Sequence, residues 1–461
     1  NTNYSLPYGY TMSSFPLRLV PTLKARMITE SIPAIRKSFL VDILSKYMLS
    51  REITIADFVE KYYKDKVSED EIILMRDYCI KMKDGKIECS HDFYLKLFHI
   101  LMHHKIIKTP EYDILMMDES GDITGVSLEI FKLIRANKKV MVGDSQQNIY
   151  SFNQTINGFE ALSDEGEQLT LSQSFRVSTS LAPYVKEFCN TYLDPHMDFE
   201  GFPYKAMPEP KDITMFYIAR TNSGIISRMI ELDLQGRRYN LTRPVYSIFA
   251  LPLLLLRLNK TPDSEIREPE FKFLEADMKE WMTNPDVRKT NESPLAYILS
   301  QHSDDTNISS AMNLLRKFSP WQIIQTYQNA KSHEKSSTTY KITITSAHSS
   351  KGLQADIVQI EPDLNEALHK VIERQQNAAK ERLKADKEIY GNKFEFKYEK
   401  HALFNPVEPD MSLLPKDAVE EFRLYYVAVT RAKFQLQHAE WLTSQEVLTT
   451  TISMMHSRGN F

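Results

Sequence analysis

The sequence predicts an α/β fold, with two parallel-sheet domains and a helical insertion in each. Three observations lead there. Short apolar runs end on charged or hydroxyl-bearing tips, helical apolar spacing separates one run from the next, and two long stretches mix apolar and charged residues without strand-like alternation. With 461 residues, 42% of them hydrophobic, the chain has material for about two to four domains of roughly 100–200 residues each.

Ile114-Leu115-Met116-Met117 is the clearest strand, ending at Asp118-Glu119. Val126, Ile130, Phe131 and Ile134 then share one side of a helix, and Val140-Met141-Val142 forms the next strand, ending at Gly143-Asp144. The same order returns at Ile213 to Ala219, tipped by Arg220-Thr221-Asn222, and at Ile342-Thr343-Ile344-Thr345, tipped by Ser346 and His348. Residues 21–108 and 245–338 read as helical, the latter with Trp281 and Trp321 as core anchors. The first sheet domain is therefore expected at 1–20 and 109–175 with 21–108 inserted, and the second at 176–244 and 339–461 with 245–338 inserted. Residues 364–390 are rich in Glu, Lys, Arg, Ala and Gln and read as a solvated helix.

Composition removes several function classes. Lys and Arg total 57 against 61 Asp and Glu, a net charge of −4, so a polyanion must meet a local patch and not the protein average. Cys79, Cys89 and Cys189 form no C-x-x-C, which argues against a disulfide framework or a cysteine zinc site and fits a reducing, intracellular compartment. The longest apolar run, Val245 to Leu256, is broken by Ser247 and Pro252 and falls short of the ~20 residues of a membrane span, so no membrane partner is expected. The opening Asn1-Thr2-Asn3-Tyr4 lacks a targeting pattern, and a first residue other than Met leads us to expect a longer gene product.

Carboxylates at the end of an apolar strand suit nucleotide chemistry. Asp118 can hold Mg²⁺ against the β- and γ-phosphates, and Glu119 can orient or deprotonate the attacking water. A helix cap or a solvated turn is the plainer use of such a pair. On the loop after the next strand, Gln147 can reach a γ-phosphate through its amide, while Tyr150 and Phe152 offer flat faces for unpaired bases, at ~1–3 kcal/mol per base. Ordinary core aromatics are the alternative there.

These residues also carry a family resemblance. Asp118-Glu119-Ser120-Gly121-Asp122 resembles the D-E-x-Q-D box, and Gly143 to Phe152 the G-D-x-x-Q-x-I-Y-x-W box, of UvrD/Rep/PcrA-type superfamily 1 DNA helicases. Leu171-Ser172-Gln173-Ser174-Phe175-Arg176 is similar to L-x-x-N-[YF]-R, and Ser346 to Gln354 to T-x-H-x-x-K-G-L-E. Glu420 to Ala432 is similar to E-E-x-R-L-x-Y-V-A-x-T-R-A, the most specific match, while Thr11-Met12-Ser13-Ser14-Phe15 more weakly resembles the T-F-H-[SG] box.

The resemblance implies two RecA-like domains and an ATP- and Mg²⁺-dependent motor on single-stranded and forked DNA, of 3′→5′ polarity, acting in replication, recombination or repair with protein partners from those processes. It implies that Arg176 and Arg431 approach the γ-phosphate in a cleft between the sheets, and that Gln354 lies near the nucleotide sugar. Thr11, Ser13, Tyr150, Phe152, Asn153, Ser346 and His348 would meet DNA, and Asp122, Asp144, Lys351 and Gly352 would couple the two ligands. A guanidinium is suited to the charge that builds on a transferring phosphoryl group, an effect worth up to ~10³–10⁵ in rate.

Departures from the pattern are specific. No G-x-x-G-K-[ST] phosphate cradle occurs, and one is expected upstream of Asn1. Gly121 stands for the box glutamine, Asn153 for an arginine and Gln354 for a glutamate, so altered coupling between hydrolysis and stepping is expected. Two other classes stay in view. A DNA-binding scaffold with a silent nucleotide site would show no DNA-stimulated hydrolysis, and a helicase subunit of a nuclease complex would need a separate nuclease chain.

Overall fold

The computed structural model describes residues 5–149, 155–164, 166–291, 293–334, 339–374, 377 and 416–442. The chain divides into two compact units, Asn1–Leu169 and Thr170–Phe461.

In the first unit, helices Ala34–Leu49, Ile55–Tyr62, Glu69–Lys83 and His91–His103 form the expected helical region. Polar caps delimit them. Thr54 accepts from the Asp57 N–H, and Ser68 with Glu71 closes a reciprocal capping box. Strand β1 (Tyr112–Met117) leads through β2 (Ile123–Thr124) and helix Gly125–Leu133 to β3 (Ala136–Met141), which pairs parallel with β1 from Tyr112↔Ala136 to Met117↔Met141. The short β2 pairs antiparallel with β4 (Thr155–Ile156). Val126 and Ile130 of the crossover helix share one core with Leu40, Ile43, Phe58, Met82 and Phe98, so the helical region is built onto the β-α-β unit.

The first sheet differs from expectation. Among the described residues β1 and β3 form a two-stranded sheet, with Ile114 58% and Met116 67% exposed. Helices cover one face of the pair, where Leu115 packs, and leave the other to solvent.

The second unit holds a parallel pair, β5 (Gln173–Ser178) with β6 (Glu200–Phe202), and a five-stranded sheet. That sheet contains β7 (Met215–Ala219), β8 (Asn240–Leu241), β9 (Ile342–Ser346), β10 (Ala355–Ile360) and β11 (Ala432–Gln437) in the order β11-β10-β7-β9-β8, with every pairing parallel. Buried strands joined by helices such as Asn222–Leu234 and Lys416–Val429 give the α/β grammar read from the sequence.

Helices from Val245–Lys260 to Pro320–Glu334 fill the second helical stretch. Ile248 and Phe249 join the sheet-side core with Ile226 and Ile344, whereas Leu254, Leu255 and Leu258 join a separate core with Leu274, Ile298 and Ile308. One helix thus serves two cores, with Pro252 between them. Among the described residues no helix is long and apolar enough to cross a membrane.

Two expectations here are corrected. Trp281 is half-buried and donates to the Asn291 carbonyl at 3.3 Å, but Trp321, in the first turn of its helix, is 70% exposed and anchors no core. Residues 362–374 are helical with Leu364, Leu368, Val371 and Ile372 buried, so this part is a core element and not a solvated helix. Its charged residues are spaced to leave an apolar stripe.

Candidate functional site

In the first unit the two nominated loops are locked together through their backbones. Val142 donates to the Met117 carbonyl at 2.8 Å, Ser120 N–H to Val142 at 2.9 Å, and Gly158 N–H to Ser120 at 2.8 Å. A Cβ on Gly121 would lie 2.3 Å from the Asp144 carbonyl oxygen, and one on Gly143 2.7 Å from the Ser120 nitrogen. The glycine that replaces the box glutamine therefore has a steric reason. No side chain fits at 121 while the Asp144 backbone stays where it is.

Asp118 and Glu119 are both exposed at the end of β1. Asp118 Oδ1 accepts the Glu119 N–H at 2.8 Å, and Glu119 holds a left-handed φ of 56°, a conformation that costs a non-glycine residue energy and that collects at functional turns. Asp122 donates its N–H to the Glu119 carbonyl at 3.0 Å and is half-buried. Asp144 caps the following turn. Its Oδ1 accepts from the Gln146 N–H and its Oδ2 from the Gln147 amide, each at 2.9 Å, so Gln147 is folded back onto Asp144. Tyr150, Phe152 and Asn153 lie outside the described residues.

Thr11 and Ser13 sit on helix Ser5–Ser14 with different fates. Thr11 is fully buried and donates its hydroxyl to the Pro7 carbonyl at 2.6 Å, whereas Ser13 is exposed. A DNA backbone could meet Ser13 directly. Thr11 shapes the helix that carries it.

In the second unit the structure gathers three nominated residues. Arg176 Nε donates to Gln354 Oε1 at 3.3 Å, while Arg431 Nη1 donates to the neighbouring Leu353 carbonyl at 3.4 Å and Ala355 N–H bonds the Arg431 carbonyl at 3.0 Å. The Leu353–Ala355 segment thus links the two arginines. Arg431 is 1% exposed, with Nε on the Val427 carbonyl at 2.7 Å and Nη2 on Thr430 Oγ1 at 2.9 Å. Its guanidinium closes the end of helix Lys416–Val429.

Ser346 ends β9 and His348, Lys351 and Gly352 follow it, whereas Gln354 and Arg431 precede β10 and β11 at their N-terminal ends. Because the strands are parallel, the two groups occupy opposite ends of one sheet. Ser346 Oγ donates to Ser349 Oγ at 3.0 Å and accepts the Ser349 N–H, fixing the turn that presents His348. Burial pushes the His348 imidazole down to about 4, and the Arg220 cation adds to the effect, so the ring is neutral at physiological pH. It can offer a hydrogen bond to a phosphate but no charge. Lys351 N–H closes the turn on the His348 carbonyl at 3.3 Å, and Gly352 has a left-handed φ of 82°.

Sequence reasoning missed the groups around this turn. Arg220 Nη2 meets Glu421 Oε1 at 2.6 Å while its Nε meets Oε2 at 3.0 Å, a bidentate pair that joins the tip of β7 to the C-terminal helix. Asp363 accepts the Arg220 N–H at 3.1 Å and the Thr221 N–H and hydroxyl at 2.8 Å each. Arg220 lay in view as a strand tip, but nothing in the sequence ties it to Glu421.

Residues 295–439 match the family model of the UvrD-like helicase C-terminal domain, a span that includes the Ser346 turn, Gln354 and Arg431. Over this part the chain is similar to UvrD-like helicases of superfamily 1. It is also 33% identical over 95 residues to the F-box DNA helicase protein 1 of Schizosaccharomyces pombe, a stretch covering 20% of this chain and 11% of that protein.

Proposed function

We propose that the chain is the working part of an ATP-dependent single-stranded DNA translocase and helicase that opens forked duplexes 3′→5′ in replication, recombination or repair. The observation that carries this reading is the meeting of Arg176, Gln354 and Arg431 around Leu353–Ala355, in the unit matched by the helicase C-terminal domain. Polarity rests on the likeness of the Gln147-x-Ile149-Tyr150-x-Phe152 loop alone.

The residues fit Mg²⁺ and ATP in donor chemistry. Asp118 supplies the hard oxygen that a Mg²⁺ ion takes alongside phosphate oxygens and water. Bound Mg²⁺–ATP supplies a polarised γ-phosphate. Glu119, one residue on and in a strained turn, takes the proton of the attacking water, and Gln147 leaves Asp144 to orient that water. Arg176 and Arg431 balance the charge that develops on the phosphate oxygens. Ser13 and neutral His348 hydrogen-bond the DNA backbone, Ser346, its hydroxyl bonded to Ser349, holds the turn that presents His348, and Tyr150 and Phe152 stack on bases.

The test measures ATP turnover and strand separation. Single-stranded DNA should stimulate ATP turnover and a forked duplex should be opened. Turnover indifferent to DNA would return the chain to a nucleotide-silent scaffold role. Arg176→Ala should lower stimulated turnover by about 10³-fold while ATP binding changes little; unchanged turnover would remove Arg176 from the site.

A further inference from the structure

Lys96 is the most deeply buried ammonium-bearing side chain in the first unit, at 1% exposure on helix His91–His103. A lysine there must be held, because its desolvation is costly unless it is fully hydrogen-bonded. Its Nζ donates to the Ser50 carbonyl at 2.9 Å and to the Glu52 carbonyl, and it sits 4.5 Å above the Tyr47 ring. Both carbonyls belong to the turn that ends helix Ala34–Leu49.

The other side of that turn meets the element that follows the carboxylate loop. Gly125, the first residue of helix Gly125–Leu133, packs so closely on it that a Cβ would lie 2.9 Å from the Arg51 nitrogen and 3.2 Å from the Ser50 carbonyl carbon. Thr124 caps this helix by accepting the Ser127 N–H. The Asp118–Asp122 loop is only the few residues upstream. The turn is therefore held between an ammonium on one side and the start of the crossover helix on the other.

We propose that Lys96 is a positioning residue for the Asp118–Glu119 carboxylates, acting through the Ser50–Glu52 turn and the start of helix Gly125–Leu133. This rests on the motor reading only for what the carboxylates do; the mechanical link stands on the first unit alone. The cluster is not a saturated structural network, since Glu52 Oε2 and His99 Nδ1 are buried without a hydrogen-bond partner among the described residues. The titratable groups that face Lys96 are Glu52 from the turn, Cys79 from helix Glu69–Lys83, Glu129 from the crossover helix, and His99 from its own helix. Burial brings the Lys96 ammonium down to about 7, with Glu52 pulling the other way, so protonation favours any opening that rehydrates Lys96 and the clamp tightens as pH rises through 7.

The test follows amide exchange in the 461-residue chain. Lys96→Met keeps the stem and removes the donor, while Gly125→Ala disturbs the opposite side of the turn without touching the buried charge. Each should raise exchange over residues 118–126 by about ten-fold, the scale set by leaving buried carbonyls unpartnered, with residues 69–83 unchanged. After correction for intrinsic rates, protection of 118–126 in the parent chain should rise between pH 6 and 8.5 by about the same order, and Lys96→Met should be flat. Unchanged exchange over 118–126 in both variants overturns the proposal, and so does an equal rise across the whole unit, which would mean general destabilisation. ATP turnover of the unsubstituted gene product separates the two readings. Loss of the exchange link with turnover present removes only the role of Lys96, whereas absent turnover with the link intact removes only the motor.

Discussion

The two arginines of the second unit differ in what a substitution can report. Arg431 is bonded to the Val427 and Leu353 carbonyls, so Arg431→Ala strands buried acceptors and should cost about 1–3 kcal/mol of stability besides any catalytic loss. A Tm lowered in Arg431→Ala but held in Arg176→Ala, measured calorimetrically, would bear this out, and equal values would refute it. Lys96 makes a global prediction of the same sense as its local clamp. Its folded value of about 7 lies below the ~10.4 of an unfolded lysine, so the unfolded state binds more protons between these limits and stability rises with pH across them, by roughly 1 kcal/mol per pH unit from this group. The stability gained from this group is full above the ordinary lysine range and is lost as pH falls through 7. Urea unfolding at pH 7 and pH 9 should show that gain in the parent chain and its absence in Lys96→Met. Neither residue's environment was legible in the sequence. A lysine or arginine inside a helical pattern reads as solvated, and only the fold reveals which ones point inward.

Strands and their tips are the elements the sequence discloses best, because a short apolar run ending in Asp118-Glu119 or Ser346 combines a burial signal with a chemical one. Pairings across long separations are not legible in this way. Arg220 and Glu421 are 201 residues apart, and one sequence without its fold carries no record of which turn meets which helix. Solvation is also hard to read from one strand: Ile114 and Met116 look like core but are exposed, since only one face of β1 is covered. Gly121 gives this scale its prediction. Restoring a side chain there, as Gly121→Ala, should cost about 1–3 kcal/mol through overpacking against the Asp144 backbone, read as a lower urea midpoint. A variant as stable as the parent would mean that the two loops separate readily.

Two units with their own hydrophobic cores should unfold and be cut as such. Residues 163–164 and 166–172 are mostly exposed and without regular structure, so brief proteolysis of the chain should nick there first and release a fragment near Asn1–Leu169. First cleavage inside either core would contradict this division. Binding of single-stranded DNA by the whole molecule should weaken steeply with salt despite the net charge of −4, because each phosphate contact releases counterions. A flat salt response would argue against a DNA groove. The open pair β1 and β3 bears on handling as much as on function. Among the described residues each strand has one strand neighbour, beside greasy Ile114 and Met116. Such a margin invites a stray strand, and the fragment released by proteolysis should clump as its concentration rises, unless a lysine introduced at 114 or 116 blunts it.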